Sequence, residues 1–230
     1  MVPTALTKIR NAIANQLGLQ REPEPAADPA LLFDPPQPDI STSAPRDRFV
    51  AAAREVRADA FVLEVGTKQS IEGRVTHAHH HFPHVPRENY TMADVEEGKD
   101  VDVVADLHRL PADWTNRFAA VVAISVFEHL ERPWIAAREV ARVLAPGGFC
   151  YIATHQTFPL HGYPSDFFRF SKEALRLIFE DAGLHVIEVG YQNRTKISVA
   201  HEVVPLSYQE TWNAAFPSYM AVNLFAKKRI

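Results

Sequence analysis

Residues 118–148 read FAAVVAISVFEHLERPWIAAREVARVLAPGG, and three patterns follow one another in them. Phe118 to Ile124 is an unbroken apolar run, which suits a strand covered on both faces better than a half-exposed one. Past a turn holding Glu128 and His129, Pro133 opens a helical repeat. In it Ala136, Val140, Val143 and Leu144 share a face while Arg138, Glu139 and Arg142 point away. Pro146, Gly147 and Gly148 then break the helix and turn the chain into the next apolar segment.

The alternation extends in both directions. AFVLEV (60–65), NYTMAD (89–94) and VDVVAD (101–106) before this stretch, and FCYIAT (149–154) after it, each predict a short strand. A further helix is predicted over SKEALRLIFEDAG (171–183), with Ser171 as its N-cap, Leu175, Ile178, Phe179 and Ala182 as its apolar stripe, and Gly183 as its stop. LHVIEVGY (184–191) and YMAVNLFAKK (219–228) predict two last strands joined by a long excursion, so the sheet ends in a hairpin-like pair. Strands alternating with helices make a doubly wound α/β domain around a mostly parallel sheet.

The first 44 residues differ. Leu6, Ile9, Ile13 and Leu17 share one helical face, and the segment 21–47 that follows is too rich in proline to continue that helix. The expected organisation is an N-terminal helix and Pro-rich arm over 1–44 and a folded domain over 45–230. With 24 Lys plus Arg against 28 Asp plus Glu, the net charge of -4 supplies no overall cationic field for nucleic acid or an anionic membrane. The single cysteine, Cys150, excludes an internal disulfide and reads as a buried structural thiol. No run approaches the roughly 18 apolar residues of a membrane span, and no signal-peptide core opens the chain. The expectation is a soluble cytoplasmic protein acting on a small molecule, without nucleic acid or membrane, whose copies associate through the arm.

Ligands of an open α/β sheet bind beyond the carboxyl ends of its strands. The residues found there are Glu64 to Thr67, Asp94, Asp106 with Leu107 and His108, Ser125 to His129, and THQTFPLHGYP (154–164). An Asp in such a place is either the cap of the next helix or a ligand-binding group. Jointly, one Asp accepting from ribose hydroxyls and the next from an adenine amino group describe a nucleoside site.

These segments resemble the successive motifs of class I S-adenosylmethionine-dependent methyltransferases, particularly the small-molecule kind called type 11. VLEVG, YTMAD, VDVVADLHRLP, the run from Phe118 to Thr154 and RFSKEALRLIFEDAGL carry the likeness, over roughly residues 58–192. The resemblance implies a Rossmann-like, mostly parallel seven-stranded sheet with the last strand antiparallel, and S-adenosyl-L-methionine as cofactor. It places Glu64, Gly66 and Thr67 near the methionine moiety, Asp94 and Val95 at the ribose, Asp106, Leu107 and His108 at the adenine, and Ser125 beside the sulfonium. Lys68 stands either against the methionine carboxylate or as a solvated loop lysine. The sequence departs from the family at Gly66-Thr67-Lys68-Gln69-Ser70, where further glycines are usual, and no crossover helix is visible between Gly66 and Asp94.

Methyl transfer is an in-line displacement that asks mainly for positioning and exclusion of water, with a base where the acceptor is a hydroxyl. His129, His155 and His161 are the candidate bases. Asp166 and Arg169 are expected on the substrate side, with Phe158, Tyr163, Phe167 and Phe168 as pocket walls or core. The five histidines His77, His79, His80, His81 and His84 come without cysteine or ordered carboxylate spacing, so no metal site is expected from them. The implied activity is O-methylation of a small molecule or sugar-containing metabolite; the alternative is a non-catalytic protein of the same fold acting through a partner surface.

Overall fold

The computed structural model describes residues 38–162, 165–200 and 202–230. The helix expected over Leu6 to Leu17, most of the Pro-rich arm, and Tyr163 lie outside the described residues. The main unit comprises 40–193 and 219–230. It is a seven-stranded sheet in the order β3-β2-β1-β4-β5-β7-β6. The strands are β1 (Phe61–Val65), β2 (Tyr90–Asp94), β3 (Val103–Val104), β4 (Phe118–Ile124), β5 (Leu144–His155), β6 (His185–Thr195) and β7 (Ser218–Lys227). β2, β1, β4 and β5 run parallel in successive pairs, and β7 pairs antiparallel with β5.

Side-chain alternation divides the sheet into two apolar layers. Leu63, Val121, Cys150, Ile152 and Leu224 join one core with α2 (Pro133–Val143) and α3 (Lys172–Asp181). Val62, Val122, Tyr151 and Phe225 join the other, with Phe49 and Ala53 of α1 (Ala44–Arg54). The continuous apolar run of β4 is the consequence of this double cover: Phe118 and Ala120 to Ala123 are all buried. Cys150 is fully buried, and burial pushes its thiol up to about 12.

The helices follow their sequence signals. Pro133 sits in the first turn of α2, and Ala136, Val140 and Val143 are buried. Ser171 caps α3 by accepting from the Ala174 amide at 3.1 Å, and Leu175 and Phe179 carry its buried stripe. Three boundaries differ from expectation, one of them the end of β6, which runs on to Thr195 past Tyr191. β3 shrinks to Val103–Val104, because only these residues pair with the end of β2 at the sheet edge. β5 begins at Leu144, ahead of the Pro-Gly-Gly, since Leu144 already pairs with Phe118. Gly148 is then required by crowding: a Cβ there would lie 2.9–3.0 Å from the carbonyl oxygens of Ala145, Ala119 and Phe118.

Residues 194–218 belong to a second compact unit containing α4 (Leu206–Ala215). Its loop is fastened to that helix by side-chain amides. Gln209 donates to the Val199 and Val204 carbonyls and accepts from the Val199 amide, and Asn213 makes the same two-way contact with Ile197.

Gly66 ends β1 at φ +75°, and a Cβ on it would lie 2.3 Å from Cγ2 of Val126. Gly73 has the same φ with nothing within 4 Å. Gly66→Ala should therefore cost about 3 kcal/mol, combining left-handed strain with overpacking, and Gly73→Ala about 1 kcal/mol. Urea unfolding of the two variants checks this; equal costs would contradict it.

Candidate active site

The parallel strands finish at one edge, and the expected site residues collect there in two groups. The first surrounds the ends of β1, β2 and β3. The Gly66 amide donates to the Ala93 carbonyl at 2.8 Å, and Thr67 is buried against the same carbonyl, so both tie β1 to β2. Asp94 is half-buried and accepts from the Lys68 amide at 3.0 Å and the Glu96 amide at 3.1 Å. Val95 is exposed beside it. The Lys68 ammonium pairs with Glu96 and its stem lies over Gly98, so this lysine is engaged on the loop itself. The Ala105 amide donates to the Asp94 carbonyl at 2.8 Å, which sets Asp106 just beyond the neighbouring strand end.

Asp106 is exposed and accepts through Oδ1 from the amide and the ring Nδ1 of His108. Burial works against its ionisation, but these two bonds outweigh it and hold the carboxyl below the ordinary range. His108 in turn accepts at Nε2 from the Arg132 amide at 3.3 Å, and Leu107 is buried next to it.

Glu64 is placed differently from its neighbours in sequence. It points into the core under α1, where both oxygens accept from the Ala78 amide and one accepts from the Tyr90 hydroxyl. The His-rich segment supplies this contact. In place of a crossover α-helix, residues 66–89 hold two single 3₁₀ turns, His79–His81 and Arg87–Asn89, that close over the face of β1 and β2.

The second group lies past β4 and β5. Ser125 adopts φ +55°, a conformation costly for a residue with a Cβ, and its amide is held by the Ala153 carbonyl at 2.8 Å. It lines a cavity of about 270 Å³ together with His155, Tyr151, Phe49, Arg46 and Asn223. Neither Asp94 nor Asp106 lines this cavity, so these two carboxylates and the cavity are separate parts of the edge. A wider hollow lined by Arg54, Arg57, Asp59 and His84 precedes β1, at the amino end of the strands.

Behind His155 stands Glu128 of the turn after β4, fully buried. Its Oε2 accepts from Thr154 Oγ1 at 2.7 Å and its Oε1 lies 2.8 Å from His155 Nδ1. Burial opposes the charge on Glu128, but His155 and Thr154 outweigh it and keep the carboxyl below its ordinary value. The His129 and His161 rings meet edge to face at 4.8 Å, and those of His155 and His161 at 5.3 Å. His129 Nδ1 lies 2.6 Å from the Ser165 carbonyl, which fixes a proton on Nδ1 and leaves the lone pair on Nε2. Asp166 accepts from the His161 amide and from both arms of Arg169, whose guanidinium holds its carboxyl well below the usual range.

A family model described as a methyltransferase domain matches residues 75–152. No curated protein sequence matches the chain. Among solved structures, a provisionally assigned methyltransferase from Bacillus halodurans C-125 aligns with TM-score 0.57 and 16% identity, over 80% of this chain and 98% of the other. A SAM-dependent methyltransferase from Archaeoglobus fulgidus aligns with TM-score 0.52 and 17% identity, over 81% and 92%. The chain has the class I methyltransferase fold. The match and the strand order bear out the resemblance read from its motifs. In this methyltransferase fold the strand ends just described form the edge opposite the amino-end hollow. Among the described residues no helix is long and apolar enough to cross a membrane.

Glu64 gives the folded state a pH dependence. Burial raises its pKa to about 7 from an ordinary 4.5, against the pull of the Tyr90 and Ala78 bonds. Between these values the folded chain keeps a proton that the unfolded chain has released, so stability is full below pH 4.5 and falls as pH rises through 7. The loss attributable to this group is about 3 kcal/mol, from ~1.4 kcal/mol per pH unit. Glu64→Gln should flatten that slope in urea midpoints measured from pH 4.5 to 8; an unchanged slope would contradict the assignment.

Proposed function

We propose that the chain is a cytoplasmic S-adenosylmethionine-dependent methyltransferase acting on a hydroxyl of a small molecule or sugar-containing metabolite. The observation that carries the reading is the set of groups beyond the parallel strands: two carboxylates past adjacent strand ends, then a cavity with Ser125 and His155 in its wall. That donor set suits a nucleoside. Asp94 has lone pairs beyond those taken by the Lys68 and Glu96 amides, and Asp106 Oδ2 accepts from none of the described residues.

In this reading Asp94 with Val95 takes the ribose, Asp106, Leu107 and His108 the adenine, and Gly66, Thr67 and Ser125 border the methionine and sulfonium end. When bound, the cofactor supplies an electrophilic methyl group. The acceptor occupies the cavity, with His155 in its wall and the His161 and His129 rings following it edge to face, and its hydroxyl proton passes to Nε2 of His129, whose free lone pair the Ser165 contact sets. Phe158, stacked on His155 at 4.2 Å, shields the acceptor from water.

The glycine-poor loop after β1, with Lys68 spent on Glu96 and Glu64 spent in the core, favours a second reading as a non-catalytic protein of this fold. Isothermal titration separates the two. Absence of S-adenosylhomocysteine binding at millimolar concentration would favour the second reading, and binding the first. Under the first reading, Asp94→Ala should weaken cofactor binding by about 1–3 kcal/mol. Incubation with methyl-labelled cofactor and cell extract should yield a labelled product, formed at least about 100-fold more slowly by His129→Ala at unchanged cofactor affinity.

A further inference from the structure

We infer that Glu128, His155 and His161 form a binding site for a divalent transition-metal ion. Their ligand atoms lie within 4.8 Å of one another, and among the described residues this is the one such grouping of His, Cys, Asp and Glu. Two of the atoms have only each other. Glu128 Oε1 and His155 Nδ1 are buried and 2.8 Å apart, yet neither has an aligned hydrogen-bond partner among the described residues.

A buried polar atom left unpaired costs about 1–3 kcal/mol, and these two, at hydrogen-bond distance but poorly aligned, have no other partner among the described residues. In the ion-free chain a proton on Nδ1 joins the two at 2.8 Å; once it is released, two lone-pair donors side by side stand in the relation of two ligands to one ion. A tetrahedral ion with bonds of about 2.0–2.1 Å keeps its ligand atoms roughly 3.3 Å apart. That spacing falls between the 2.8 Å of this pair and the 4.8 Å bound of the trio.

The surroundings are those that orient metal ligands. Thr154 donates to Glu128 Oε2 and so presents Oε1 to the cluster. His161 Nδ1 lies 3.2 Å from the Pro159 carbonyl and 3.4 Å from Asp166 Oδ2. A proton held there leaves Nε2 for an ion. Asp166 is itself gripped by Arg169. The Phe167 and Phe168 amides donate to the Glu128 carbonyl and the Phe170 amide to that of His155, so the backbone of the segment after His161 is strapped to the two other ligands.

Two imidazoles and one carboxylate suit zinc or a neighbouring late divalent ion, and three protein ligands leave a position open. Because His155 also lines the cavity beside Ser125, the open position adjoins that cavity. His129, with Nε2 3.9 Å from Glu128 Oε1, stands outside the trio. The histidines of 77–84 take no part. The inference holds whether or not the chain transfers methyl groups.

The test is a zinc titration of the tag-free, full-length, chelator-stripped chain against a chromophoric competitor, repeated with cobalt to read the visible spectrum. One ion per chain is expected, with a tetrahedral or five-coordinate cobalt band. Glu128→Gln and His161→Ala should each weaken zinc binding at least about 100-fold, and Asp166→Asn about 10–100-fold. The double variant His80→Ala, His84→Ala should bind as the parent does. His161 lies on a partly exposed segment, so its variant keeps the test open if Glu128→Gln fails to fold, as circular dichroism will report. No stoichiometric zinc, undiminished binding by folded His161→Ala, or loss of binding only in the His80, His84 variant would overturn the proposal.

Discussion

The parallel hydrogen-bonded register of β2, β1, β4 and β5 is the constraint on which the rest of the molecule depends. It pairs Val65 with both Ala93 and Ala123, and Ile124 with Ala153. Strands in parallel register end together, so Gly66, Asp94, Ser125 and His155 reach one edge although they are far apart in the chain. The register persists because each of these strands buries apolar side chains on both faces and each face is covered, by α1 and the His-rich segment on one side and by α2 and α3 on the other. A slip of one residue would exchange the two cores and disperse the site.

Two buried glutamates show how the same side chain is put to different ends. Glu64 is surrounded by donors that belong to the scaffold, Tyr90 and Ala78, yet burial prevails and its carboxyl is pushed upward. Glu128 sits as deep, but a histidine and a threonine keep it in the carboxylate range. The first is a structural anchor for the His-rich segment that replaces a crossover helix. The second belongs to a cluster in which its Oε1 and His155 Nδ1 face each other with no other partner among the described residues.

Much of the fold was legible because apolar periodicity and capping are local. β4 runs as its apolar stretch does, and Ser171 caps α3 through its own hydroxyl. β3 was read too long because pairing at a sheet edge depends on the neighbour, which composition does not encode. The strand-end rule found Asp94, Asp106, Ser125 and His155. It missed Arg46, Phe49, Tyr151 and Asn223, which reach the cavity from α1 and from strand interiors through tertiary packing. Glu128 was visible as a letter in the turn. Its burial, and its meeting with His155 and His161, depend on where residues 158–162 and 165–170 pack, and no spacing signals that.

The most direct test of the account is a map of amide shifts on adding S-adenosylhomocysteine to the isotope-labelled chain. Perturbations confined to residues 66–68, 94–96, 106–108 and 125–129 would agree with a nucleoside lying across the ends of β1, β2, β3 and β4. Perturbations centred on Arg54, Arg57 and His84 at the amino ends, with the opposite edge silent, would contradict it.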